Sequence, residues 1–245
     1  MKKFSLALVA MAMIMTPMAF ADSYTVDLTK TPDALSCGTP ACTGPYATMT
    51  VDLTSSTTAI ITIQGLSNGN YQYLIGDDSI ALALNIDAST FAVTVGSVSQ
   101  LPGFTSVTYT PKGTSYITPT SPSTVETYSP DSDGYYDFEL ASTGAGFDTA
   151  ATEIVLDVTA GAGTDWLSAD DVLTNAGNFY GYDAGVDIYA CPVSGCTATS
   201  EVSHGVATAS AVPEPASLSL LGTGMLGLAF LVFWKAKASG LVLHS

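Results

Sequence analysis

The chain has 245 residues, 22 acidic and 6 basic, with a formal net charge of −16 and no arginine. Nothing in such a composition could neutralise a phosphate backbone, which excludes nucleic-acid binding and disfavours adsorption to an anionic membrane surface. Lys2, Lys3, Lys235 and Lys237 sit near the two ends, so only Lys30 and Lys112 remain in the body, whose acidity suits solubility, divalent cations or a hydrated matrix.

The N-terminus opens with Lys2 and Lys3, continues almost wholly apolar from Phe4 to Met18, and reaches Ala19-Phe20-Ala21. A charged start, a short apolar run and a small-x-small site read as a secretory signal peptide over residues 1–21, cut between Ala21 and Asp22. A retained anchor or buried helix is the alternative, and the acidic Asp22 immediately after a short core opposes it.

The body, residues 22–211, carries four cysteines as two local pairs, Cys37 with Cys42 and Cys191 with Cys196. In an exported chain disulfides are the default, and four cysteines allow three connectivities. Pro and Gly inside each spacer favour the two short loops, while pairing between the two ends of the body stays open. A zinc site would need more ligands than these cysteines and His204, the only histidine of the body, supply.

Between the pairs run short alternating or β-branched stretches: Tyr46–Leu53, Thr58–Gln64, Tyr71–Ile75, Ile80–Ile86, Phe91–Val95, Tyr135–Leu140, Ile154–Val158 and Val186–Tyr189. Turn formers such as Ser67-Asn-Gly-Asn70 and Gly76-Asp-Asp78 separate them. Such spacing predicts an all-β body, an antiparallel sandwich or jelly roll large enough to bury one core. The best helix candidate is Ser168–Leu173, with a capping serine and early acids. Residues 110–130 are rich in Ser and Thr and contain four prolines, which reads as a long loop; mucin-like O-glycosylation is the functional alternative.

Asp131-Ser-Asp-Gly-Tyr-Tyr-Asp-Phe-Glu139 is the sharpest local motif. Asp131, Asp133, Asp137 and Glu139 offer part of the oxygen set a calcium ion takes. It is not an EF-hand loop, because the first-ligand slot falls on Ser129 and the terminal glutamate slot on Leu140. The competing reading is a β-turn entering a strand whose Tyr136, Phe138 and Leu140 face the core while Asp137 and Glu139 face water. No other cofactor is suggested.

No catalytic constellation stands out, so the chain reads as a non-enzyme. Asp77-Asp78 and Asp170-Asp171 are acidic pairs in turn-like settings, and a Ser-His-Asp arrangement would rest on His204 in a linker-like stretch. Tyr71, Tyr73 and the Phe179–Tyr182 cluster could stack on sugar rings, although such tyrosines more often half-bury in a sheet. A carbohydrate- or calcium-binding extracellular module is therefore the alternative function.

The C-terminal region departs from the body. Val212-Pro213-Glu214-Pro215 precedes an uncharged run from Ala216 to Trp234, and Lys235 and Lys237 follow. At 1.5 Å per residue that run reaches about 28 Å, close to bilayer thickness, and predicts a transmembrane helix over 216–234. The lysines orient its C-terminal end toward the cytoplasm, giving a single-pass membrane precursor with the body outside.

Taken in order, Pro-Glu-Pro, an apolar helix rich in Ala, Leu and Gly, and a basic end resemble the PEP-CTERM sorting domain of exported bacterial proteins, over residues 212–237. The resemblance implies recognition by an exosortase, a membrane-embedded transpeptidase, with Val212, Pro213, Glu214 and Pro215 as the processing motif and Lys235 and Lys237 as anchor-orienting charges. It implies an exopolysaccharide-producing bacterium and hence a surface or extracellular-matrix role, associated with exopolysaccharide or biofilm. The family's basic end is usually rich in arginine; here it is lysine, followed by a tail at 238–245 with no reading.

Overall fold

The computed structural model describes residues 22–29, 35–76, 80–115, 136–144, 146–174 and 182–209. Strands β1 (Asp22–Leu28), β2 (Ala47–Ser55), β3 (Thr58–Gly65), β4 (Ser67–Asn68), β5 (Tyr71–Ile75) and β6 (Ile80–Leu84) come first. They are followed by β7 (Phe91–Gln100), β8 (Tyr109–Lys112), β9 (Phe138–Ser142), β10 (Ala151–Ala160), β11 (Ala184–Pro192) and β12 (Ser203–Ala209). By its contacts the chain divides after Ala211.

All pairing is antiparallel. It falls into two halves. In the first, β1, β2, β3, β10 and β7 lie side by side; in the second, β11 has β12 on one edge and β5 and β6 end to end on the other, with β9 and then β8 beyond β6. Among the described strands a single pair, Ala151 with Ile75, joins the halves into one network, and an isolated bridge between Thr90 and Ser115 links the start of β7 to the chain just past β8. Their inward side chains share one core: Met49, Val51, Ile61 and Leu156 from the first half, Tyr73, Leu82, Phe138 and Val186 from the second. This is the antiparallel all-β body the strand spacing predicts.

Period-two sequence sets the facing of the first half. In β2, Ala47, Met49, Val51 and Leu53 are buried while Thr48, Thr50 and Asp52 point the other way. The pairing register carries this alternation into β3, where Ala59, Ile61 and Ile63 face inward. The Ser-Asn-Gly-Asn signal becomes the β4–β5 hairpin: Asn68 pairs with Tyr71, and Gly69 takes the positive φ of 63° that the tight turn requires.

Three strands escape the sequence reading. β1 begins at Asp22, and β12 occupies the stretch read as a linker around His204. β8, Tyr109–Lys112, takes its last three residues from the loop assigned to 110–130; it pairs with β9 at the end of the sheet order, so Pro111 sits on an edge where its missing N–H is tolerated. Residues 116–130 of that loop lie outside the described residues.

The Ser168–Leu173 segment forms a short 3-10 turn, Ala169–Val172, rather than an α-helix. Asp171 Oδ2 closes its start by accepting from the backbone N–H groups of Leu167 at 3.1 Å and Ser168 at 3.0 Å, and from Ser168 Oγ at 2.8 Å. Trp166, just before it, is buried in the main core.

Candidate functional site

β11, β6 and β9 run side by side, with Ala184 opposite Leu84 and Leu84 opposite Phe138. One residue further along, Asp183, Asn85 and Asp137 fall in line on the opposite face of the sheet from that core row. The Asn85 N–H donates to Asp183 O at 2.9 Å, its Nδ2 to Tyr182 O at 3.2 Å, and its Oδ1 accepts from the Asp137 N–H at 3.1 Å. Glu139 is opposite Ala83, and Ala83 opposite Gly185, in the next row on that face, and Asp187 lies one such row further along β11.

These acids are not on a wetted face. Asp137 and Asp183 are each 1 % exposed, Asp187 3 % and Glu139 5 %. The expectation that Asp137 and Glu139 face water is corrected: alternation fixes which side a residue takes, but here both sides of β6, β9 and β11 are buried. A second apolar cluster, Leu74, Phe147, Ala150, Tyr189 and Cys191, lies apart from the main core. Glu139 meets its charge internally, with Lys112 Nζ 2.7 Å from its Oε1.

Of the four residues read as a calcium set, Asp137 and Glu139 share a face as the strand period requires, while Asp131 and Asp133 lie outside the described residues. Glu139 is already committed to Lys112. Among the described residues, no group of three or more His, Cys, Asp or Glu is arranged to hold a metal ion.

The sugar-stacking reading of Tyr71 and Tyr73 is also corrected. Both rings are buried, and Tyr73 packs edge-on against Tyr46 with centroids 5.0 Å apart. Tyr71 OH is shared between the carbonyls of Cys37 and Pro40 at 3.0 and 2.9 Å, and Tyr73 OH donates to Thr43 O at 3.0 Å. Burial pushes the Tyr73 phenol up from its ordinary value. These tyrosines clamp the loop closed by the Cys37–Cys42 disulfide, whose Cα atoms are 5.3 Å apart. Cys191 pairs with Cys196 at 5.5 Å, so both short-range pairings form. From the aromatic cluster at 179–182 only Tyr182 is described, and it lends its backbone carbonyl to Asn85.

His204 is on β12, not a linker. Its Nδ1 lies 3.0 Å from Glu201 Oε1 with the ring largely exposed, and the adjacent Ser203 Oγ accepts from the Ser36 N–H at 2.9 Å. Asp170 and Asp171 open the 3-10 turn, where Asp171 is a cap; Asp77 and Asp78 lie outside the described residues. The turn also fastens β1, since the Ala169 N–H donates to Asp22 Oδ2 at 2.9 Å. Residues 1–21, with Ala21 of the expected signal cleavage, lie outside the described residues.

Near the turn, partial desolvation and then the Asp171 charge push the carboxyl of Asp87, an exposed residue, up from its ordinary value. A carboxyl raised on folding holds its proton more tightly in the folded state. Its cost to stability is therefore absent below the unfolded value and appears as pH rises through the folded one. Asp87→Asn is expected to melt higher than the parent at pH 7, with the difference closing below about pH 4; thermal melts at both pH values check it.

The C-terminal residues carry the decisive signal. A family model described as the PEP-CTERM protein-sorting motif matches residues 211–233. The chain carries a PEP-CTERM sorting motif. Val212, Pro213, Glu214 and Pro215 fall within the match, with the apolar run behind them, and Lys235 and Lys237 follow it. The PEP-CTERM motif implies an exported protein that an exosortase recognises and sorts to the cell envelope. The motif, both lysines, the predicted span 216–234 and the tail at 238–245 lie outside the described residues. Among the described residues no helix is long and apolar enough to cross a membrane. No curated protein matches the chain. No solved structure matches it either.

Proposed function

We propose that this is a non-enzymatic surface or extracellular-matrix protein, exported as a single-pass membrane precursor with its body outside and then released or re-anchored by exosortase. The observation that carries the reading is the PEP-CTERM motif placed directly after an acidic β body. Two disulfides support it, because such bonds persist in oxidising compartments. The body's charge supports it further, since a strongly acidic surface stays hydrated and apart from its neighbours in a polysaccharide gel. In this reading the motif is the address, the apolar run a temporary tether, and the body the cargo.

Peptide mapping of the native C-terminus by mass spectrometry, in membrane and extracellular fractions, tests it. The expected result is extracellular protein ending between Val212 and Pro215, with the apolar run gone. Protein found only in membranes and still carrying Trp234 to Ser245 would replace the matrix role with a permanently tethered one.

A further inference from the structure

β7 ends the first half of the sheet, and its outer edge is open. On one side it pairs with β10. On the other, among the described residues, only its start is closed: the Phe91 N–H donates to Thr114 O at 2.9 Å, and Thr90 bridges to Ser115. Backbone groups of alternate residues point to the same side of a strand, so the N–H and C=O of Val93 and Val95 aim outward as the Phe91 N–H does. The side chains of Ala92 and Thr94, between them, are exposed.

Two features set this edge apart. First, it leaves the core incompletely covered. Ile154, Leu156 and Val158 of β10 are at most 1 % exposed, whereas Val98, Val95 and Val93, opposite them on β7, are only partly buried. Second, it lacks the residues that ordinarily keep an exposed edge from pairing, a charge or a proline. β1 has Asp22 and Asp27, β8 has Pro111 and Lys112, and β12 is buried from Gly205 to Ala209. β7, Phe-Ala-Val-Thr-Val-Gly-Ser-Val-Ser-Gln, carries neither charge nor proline. A bulge, Gly96 and Ser97 against Val155, confines its straight edge to Ala92–Val95.

We propose that this edge docks a second copy of the chain, β7 against β7, antiparallel about a two-fold axis at Thr94. Outward N–H and C=O groups in this spacing are complemented by another extended strand. Charge selects the copy's own β7. Each chain carries a net −16, so two copies approach closely only where carboxylates are absent, and this strand is such a place. Asp157 stands opposite Thr94 on β10; across the pair its two copies lie about 14 Å apart, beyond the Debye length of about 8 Å at physiological salt. In this register Val93 forms a hydrogen-bonded pair with the second copy's Val95, and each copy covers the other's partly exposed valines. The two Thr94 hydroxyls meet at the axis, a favourable cross-strand pair. The contact is self-complementary and closes at two copies. It depends on neither the sorting motif nor the fate of the anchor.

Sedimentation velocity of the full chain in detergent tests it. The parent is expected to populate a dimer at about 100 µM, as suits a contact at the small end of specific interfaces. Thr94→Lys sets two ammonium groups against each other at the axis and is expected to weaken the dimer at least about tenfold. Thr94 is exposed, so the variant should melt within about 2 °C of the parent. Thr94→Cys supplies a second readout, because directly opposed residues of a non-hydrogen-bonded pair lie about 4.5 Å apart at Cα, within disulfide reach. Under copper–phenanthroline oxidation it is expected to link into dimers much faster than Thr25→Cys, an exposed site on the opposite edge strand of the same half. A parent that stays monomeric, a dimer that survives Thr94→Lys, or equal linking of the two cysteine variants overturns the proposal. Open-ended polymers would also overturn it and point to β1 of one copy meeting β7 of the next.

Discussion

Trp166→Ala is expected to lower the stability of the body by about 4 kcal/mol, within the usual cost of emptying a buried aromatic site. The ring is 2 % exposed and belongs to the main core. Its Nε1 donates to Asp87 O at 2.9 Å and its backbone N–H to Ser56 O at 2.8 Å. One residue therefore ties the β2–β3 turn and the β6–β7 connection to the 3-10 turn that holds Asp22. Alanine would leave a cavity and strip the Asp87 carbonyl of its donor, and neighbours already in β-ladders have little freedom to collapse inward.

Urea unfolding followed by far-UV circular dichroism separates the two losses. Trp166→Ala should move the midpoint well down with little change in slope, and lower the melting temperature by roughly 10 °C. Trp166→Phe keeps most of the ring volume but no N–H, so it should recover more than half of the loss. Equal losses for both variants would mean that the hydrogen bond, not the packing, holds this corner.

The difference between the two sheet halves explains what the sequence discloses. β2 and β3 are legible because one face is core and the other is wet, which writes an alternating pattern. β12, Ser-His-Gly-Val-Ala-Thr-Ala, hides because it is buried on both faces from Gly205 to Ala209, which erases the alternation, and Val206 is the one large apolar side chain among Gly205, Ala207, Thr208 and Ala209. Small residues suit a strand packed closely, yet they carry no hydrophobic signature. β1 hides for the opposite cause: it is an edge strand, mostly exposed and polar, and its inward Tyr24 and Val26 are only partly buried. β8 is masked by Pro111, which is harmless only because the strand lies on an edge.

The site divides in the same way. The sorting motif is legible because its recognition depends on order along the chain, with no folding needed. The local disulfides follow from short spacers that turn easily. The destination of Asp137 and Glu139 is not legible, since a polar residue between two apolar ones ordinarily marks a solvated face. The sequence does hold one clue. Only two lysines lie in the body, and Lys112 precedes Gly113, whose φ of 98° and close approach to the Asp137 carbonyl oxygen leave no room for a Cβ. The glycine lets the chain pass against β9 and brings the lysine opposite Glu139.

That pair gives the second large effect. Lys112 and Glu139 are directly opposed in the β8–β9 register, but they are unequally buried: the lysine side chain is 52 % exposed and the glutamate 6 %. Lys112→Met strands a carboxylate that has little water, whereas Glu139→Gln leaves an ammonium that solvent can still reach. The first change should cost about 2 kcal/mol, between the values for an exposed and a buried pair, and the second about half as much. In Lys112→Met/Glu139→Gln the stranded charge is gone, so the double variant should be more stable than Lys112→Met alone. Denaturant midpoints of the four proteins close the cycle. If the two single variants lose equally, or if the double variant falls by their sum, Glu139 is reaching another source of compensation and the lysine is an ordinary surface charge.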